Sequence, residues 1–169
     1  MTSVDIDSKS IPTICCDIME LDAGEIQEYF GPVDLIWASP PYPHHSCPLE
    51  SDALVSKVLD LADQLCCYYL LENPHSGLLK TRPVMQGINN VVLDYCRYGT
   101  AYRKRTSIWT NTDYAPTRPL CKKDCDSSDG KRHKERAQRI GRVPHTLNEL
   151  YMIPPELCDE IAVWADKLK

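Results

Sequence analysis

The sequence predicts an α/β domain whose functional crevice opens at the carboxyl ends of its strands. Three observations carry that prediction. Short, near-continuous apolar runs suit strands covered on both faces. Segments with apolar residues at helical spacing lie between or after them. Several apolar runs end abruptly in polar or proline-containing loops, as Leu35-Ile36-Trp37-Ala38 does in Ser39-Pro40-Pro41-Tyr42.

In chain order, the predicted strands are Val4 to Ile6, Ile14 to Cys16, Val33 to Ala38, Tyr68 to Leu71, Val91 to Tyr95 and Ser107 to Trp109. The two prolines stop the third strand, because they offer no N–H donor to a ladder. Between Asp52 and Leu65, the residues Leu54, Val58, Leu61 and Leu65 make one helical face. Residues 1–113 therefore read as an α/β core. Residues 114–145 read as an excursion rich in Pro, Gly, Asp, Lys and Arg, in which no apolar period survives. Residues 146–169 read as C-terminal helices packing on the core. Thr146 caps the first of them, and Pro154-Pro155 opens the last, whose stripe is Leu157, Ile161, Trp164 and Leu168. Trp37 and Trp109 fall within strands and belong to the core.

The net charge of −5 conceals a segregation. Arg97 to Arg142 holds 13 basic and 5 acidic residues, whereas the rest holds 6 basic and 19 acidic. A basic region of this kind fits a polyanion partner, and equally a solvated loop surface. No stretch reaches the ~18 apolar residues of a membrane span. The start, MTSVDIDSKS, has no basic-then-apolar export signal. The nine cysteines are odd in number and include two adjacent pairs, so they read as reduced thiols of an intracellular protein, cytoplasmic or nuclear.

Four patches carry chemistry, VDID with CDI, SPPY, ENP followed by GLLK, and the run DYCRYGTAYRKRTSIWTN, and a fifth piece, TLNELYMIPPELCDEI, follows them. In this order they resemble the cytosine-5 DNA methyltransferases, and among them the small viral and transposon-borne branch. The resemblance runs from Ser3 to Ala162. It implies a Rossmann-like fold that uses S-adenosylmethionine and acts on duplex DNA. It implies that Asp5 accepts bonds from the cofactor ribose while Ile6 packs on the adenine. It implies that Asp17 accepts from the adenine amino group, with Ile18 against the ring. Both aspartates are equally suited to capping turns. The resemblance also implies that Glu72, followed by Asn73, donates to the cytosine ring nitrogen, a role favouring a carboxyl pKa raised by burial. The stiff Ser39-Pro40-Pro41 loop would hold one side chain near a flipped base. The basic run Arg103, Lys104, Arg105, with Lys131 and Arg132 further on, would face phosphates.

Three departures from the family pattern matter. Its nucleophilic cysteine is replaced by Tyr42, a phenol with pKa near 10 and far weaker than a thiolate. Cys47, five residues on, is a remote substitute. The family's first strand and glycine-rich turn should precede VDID, yet Met1 lies three residues before Val4. The fold expected is thus one lacking those elements: a fragment, a chain completed by a subunit or by self-association, or one that has lost its cofactor. Third, Tyr102 stands where the family commonly has glutamine. The expectation is a cytosine-5-type domain that is weak or inactive alone. Two alternatives stay open. SPPY satisfies an amino-methyltransferase acting on exocyclic nitrogens of DNA or RNA, with Ser39 and a proline carbonyl holding the amino group. A catalytically dead module binding nucleic acid or a partner subunit is the other.

Inside the excursion, Cys121-x3-Cys125-x7-His133 has metal-ligand spacing, and a long polar loop needs a staple. Cys96 is the candidate fourth ligand, and the expected metal is structural zinc. His44-His45 reads as part of the polar loop after SPPY.

Overall fold

A computed structural model describes residues 2–41, 48–137 and 146–168 of the chain. Tyr42, His44, His45 and Cys47 lie outside the described residues. Six strands are formed: β1 (Val4–Asp5), β2 (Ile14–Cys15), β3 (Leu35–Ala38), β4 (Tyr68–Pro74), β5 (Asn89–Asp94) and β6 (Arg105–Thr110). The helices are α1 (Ala23–Phe30), α2 (Pro48–Gln64), α3 (Leu147–Tyr151) and α4 (Pro155–Ala165). Among the described residues no helix is long and apolar enough to cross a membrane.

The principal sheet has the order β3-β4-β6-β5. β3 and β4 are parallel, and β6 runs antiparallel between β4 and β5. β3, β4 and β5 therefore point the same way, and their carboxyl ends share one edge with the start of β6. Side chains alternate between two cores as strand geometry requires. Tyr69, Leu71 and Trp109 face Val55, Val58, Leu61, Ala62 and Leu65 of α2. Leu70, Leu93 and Ile108 face Leu157 and Ile161 of α4, with Trp37 and Trp164 alongside. The predicted coverage on both faces thus holds for the central strands β4 and β6 and only in part for the edge strands β3 and β5, and Trp37 and Trp109 both reach the cores.

It does not hold for β1 and β2. They pair in parallel as a separate two-stranded sheet, with Val4 and Ile6 exposed. Two-residue strands carry too few side chains to build a buried face. The α2 stripe is also shifted from the sequence expectation. Val55 is fully buried, whereas Leu54 is half-buried.

α1 has no counterpart in the sequence expectation. The signal was present in Asp22-x-x-Glu25: the Asp22 carboxylate accepts from the N–H groups of Gly24 (2.8 Å) and Glu25 (3.2 Å). Thr146 caps α3 as expected, its hydroxyl accepting from the Glu149 N–H (3.3 Å) while the Glu149 carboxylate accepts from the Thr146 N–H (2.6 Å). From residue 114 to 137 the chain forms no helix or strand, only isolated bridges such as Ser128 with His133.

Candidate functional site

The shared sheet edge gathers the polar chemistry. Leaving β3, the chain enters Ser39-Pro40-Pro41, with Pro40 buried and its neighbours exposed. β4 ends in Glu72-Asn73-Pro74, and both Glu72 and Asn73 are 5% exposed. The Asn73 Nδ2 donates to the Pro40 carbonyl at 3.0 Å. That bond ties the proline loop to the end of β4.

Glu72 faces the α4 side of the sheet. The Tyr95 hydroxyl donates to its Oε1 at 2.9 Å, and the Lys104 ammonium lies 3.4 Å from the same oxygen. Lys104 also donates to the Leu150 carbonyl (3.1 Å) and sits 4.7 Å from the centroid of the Tyr95 ring. Burial, then the neighbouring carboxylate, pushes the Tyr95 phenol well above its ordinary value, so it remains a donor. Tyr95 is the residue that sequence reasoning missed. Its signal was position alone, as the last residue of the predicted strand Val91 to Tyr95 and one step past the observed β5.

The basic run is turned inward. Asp94, 1% exposed, accepts from Arg105 Nε (3.0 Å) and Nη2 (2.8 Å), and Arg103 Nε lies 3.5 Å away. Lys104 and Arg105 thus meet buried carboxylates, because β6 starts where β4 and β5 end, whereas Arg103 reaches Asp94 from an exposed position. Lys131 and Arg132 are exposed, on a turn whose N–H groups are accepted by the Asp129 carboxylate. Gly130 takes φ +85° there, a conformation that a side chain would strain. His75, next after β4, meets the Ser107 hydroxyl at 2.8 Å. Burial, then Lys80 and Arg105, lowers its pKa.

The metal-spaced residues converge on the same edge. Sγ of Cys96, Cys121 and Cys125 and a ring nitrogen of His133 all lie within 4.8 Å of one another. His133 Nε2 is 3.4 Å from both Cys121 Sγ and Cys125 Sγ. Burial, then the adjacent Cys121 and Cys125 thiols, raises the Cys96 thiol. Burial works against ionisation of Cys121 too, but the Lys123 N–H, Cys125 and Cys96 outweigh it and hold that thiol below its ordinary value. Burial, then Arg103, lowers the His133 imidazole, which favours its neutral, ligating form.

The residues that the resemblance assigns to a nucleotide cofactor lie on or just after the strands of the separate β1-β2 sheet. Asp5 accepts from the Asp7 N–H (2.8 Å) at the end of β1, with Ile6 71% exposed beside it. Asp17 caps a 3-10 turn through the Met19 N–H (2.9 Å), and Ile18 packs against the α2 core. Both aspartates act as turn caps here. A surface concavity of about 640 Å³, lined by Tyr114, Arg118, Glu160 and Trp164 among others, opens beside α4. It shares none of the residues around Glu72.

No protein-family model matches the chain, and no curated protein does. Among solved structures, it is similar to a candidate DNA modification methyltransferase encoded within a prophage of E. coli. The TM-score is 0.52 at 18% identity, over 63% of this chain and 38% of that one. The likeness is one of fold: the chain has a mixed α/β architecture of the methyltransferase type.

Proposed function

We propose that this chain is a DNA methyltransferase-like domain of the cytosine-5 type, S-adenosylmethionine-dependent by ancestry and weak or inactive alone. The observation that carries the reading is the Asn73–Pro40 bond, with Glu72 buried beside it. Together they make a rigid base-facing wall of a proline loop and an acid, both at strand ends. Glu72 is the group that would address the cytosine ring nitrogen, held by Tyr95 and Lys104. Lys131 and Arg132, together with exposed Lys122, Lys123 and Lys134, would meet duplex phosphates.

Against amino-methyl transfer, the patches flanking SPPY resemble the cytosine-5 type, and Glu72-Asn73-Pro74 would have no part in that chemistry. Tyr42 replaces the family nucleophile, which supports inactivity in isolation. The proposed remedy, a partner or second copy that supplies further strands, is supported by β3. It pairs along one edge only among the described residues, and its four side chains are only half-buried.

The test is calorimetry of S-adenosylmethionine binding, alone and with duplex DNA, followed by labelled-methyl transfer and nucleoside analysis. The expected result is salt-sensitive DNA binding, cofactor binding weaker than millimolar, and no 5-methylcytosine. Efficient formation of an N-methylated base by the chain alone would overturn the cytosine-5 reading.

A further inference from the structure

The geometry points to a structural zinc centre made by Cys96 Sγ, Cys121 Sγ, Cys125 Sγ and His133 Nε2, which clamps the irregular segment 114–137 onto the carboxyl end of β5. In a tetrahedral site with Zn–S ~2.3 Å and Zn–N ~2.0 Å, the expected S···N separation is ~3.5 Å and S···S ~3.8 Å. The two measured S···N separations of 3.4 Å match, and all four donors fit the 4.8 Å envelope. Three soft thiolates and an imidazole select zinc among common divalent ions, and four protein donors leave no open position for chemistry.

The surroundings are built for those ligands. Lys123 adopts φ +69°, unusual for a long side chain, and the turn aims its N–H at Cys121 Sγ, 3.3 Å away. The Cys121 N–H itself donates to the buried Asp94 carboxylate at 3.0 Å. His133 is presented by a tight turn in which the Lys134 N–H donates to the Ser127 carbonyl (2.8 Å) and the Asp129 N–H to the Arg132 carbonyl (3.1 Å). Cys96 follows directly on Tyr95, which holds Glu72. The fourth ligand therefore ties the metal to the wall of the acid pocket. On binding, three thiol protons leave to solvent and the centre carries one net negative charge, which faces Arg103 and Arg105 near Asp94.

The experiment is metal analysis of the full chain purified without chelator and kept reduced, then reconstitution of the metal-stripped chain with Co²⁺ alone. The expected result is one zinc per chain and, with cobalt, the intense visible bands of a tetrahedral thiolate site. Cys125→Ser, at a half-exposed position, is expected to weaken zinc binding at least tenfold, whereas Cys158→Ser leaves it unchanged. Chelation of the unaltered chain is expected to open 114–137 to protease before the sheet. A reduced, folded chain that takes up no zinc and gives only the pale spectrum of octahedral cobalt overturns the centre. So does uptake that is indifferent to Cys125→Ser. None of these readouts uses methyl transfer, so the centre and the proposed function fail separately.

Discussion

Two carboxylates show how single residues organise this molecule. Glu72 is held by Tyr95 and Lys104, so Tyr95→Phe removes a buried donor and leaves the acid under-bonded. The expected loss is about 1.5–3 kcal/mol, the range for a hydrogen bond to a charged group, read as a lower urea midpoint at unchanged slope. Glu160 on α4 accepts from the hydroxyls of Tyr98 (3.1 Å), Tyr114 (3.0 Å) and Thr117. Burial opposes its ionisation, but the Thr117, Tyr114 and Tyr98 bonds outweigh it and depress its pKa. A depressed carboxyl contributes stability above its unfolded value of about 4.5, and the contribution is lost as pH falls through the lower folded value. Glu160→Gln is therefore expected to lower stability at neutral pH and flatten the acid-side decline below about pH 4.5, measured by urea titration at stepped pH. Spacing made Cys121, Cys125 and His133 legible in the sequence, whereas Glu72 was legible only through the family resemblance. Tyr95 was not, because a tyrosine at a strand end carries no local mark of what its hydroxyl reaches.

Among the elements, long helices were the easiest to read and short ones the hardest. α2 and α4 repeat their apolar residues over several turns, so one face is evident from spacing. α1 has eight residues, one of them buried, and offers only its cap and closing glycine as signals. α4 shows what a correctly read stripe contributes. Leu157 is fully buried against the sheet, and Leu157→Ala is expected to cost about 2–4 kcal/mol in chemical denaturation. Val163 on the same helix is 63% exposed, and Val163→Ala is expected to change stability by less than about 0.5 kcal/mol. Equal losses at the two sites would mean that α4 does not sit on the sheet as described.

For the molecule as a whole, the sequence carried the α/β class but not the strand order. Apolar runs covered on both faces look alike whether parallel or antiparallel, so nothing local marked β6 as the strand between β4 and β5. That placement redirects the basic run, because Lys104 and Arg105 stand at the start of β6 beside Glu72 and Asp94. The exposed cations left for a polyanion lie mainly on the segment around Cys121 to His133. Replacing both Lys131 and Arg132 by Glu is expected to weaken duplex binding and to reduce the slope of log K against log salt by up to about 1.8, near 0.9 per lost phosphate contact, as measured by fluorescence anisotropy. An unchanged slope would place the phosphate contacts elsewhere.

The position of β6 also sets a timetable during synthesis. β4 and β5 leave the ribosome before the strand that joins them, so the sheet stays split until residue 110 has emerged. Until then Glu72 and Asp94 have neither Lys104 nor Arg105 to face, and the acidic edge stays hydrated and open. Assembly of that edge is thus a late event in the life of the nascent chain, triggered by one six-residue strand arriving between two that were waiting for it.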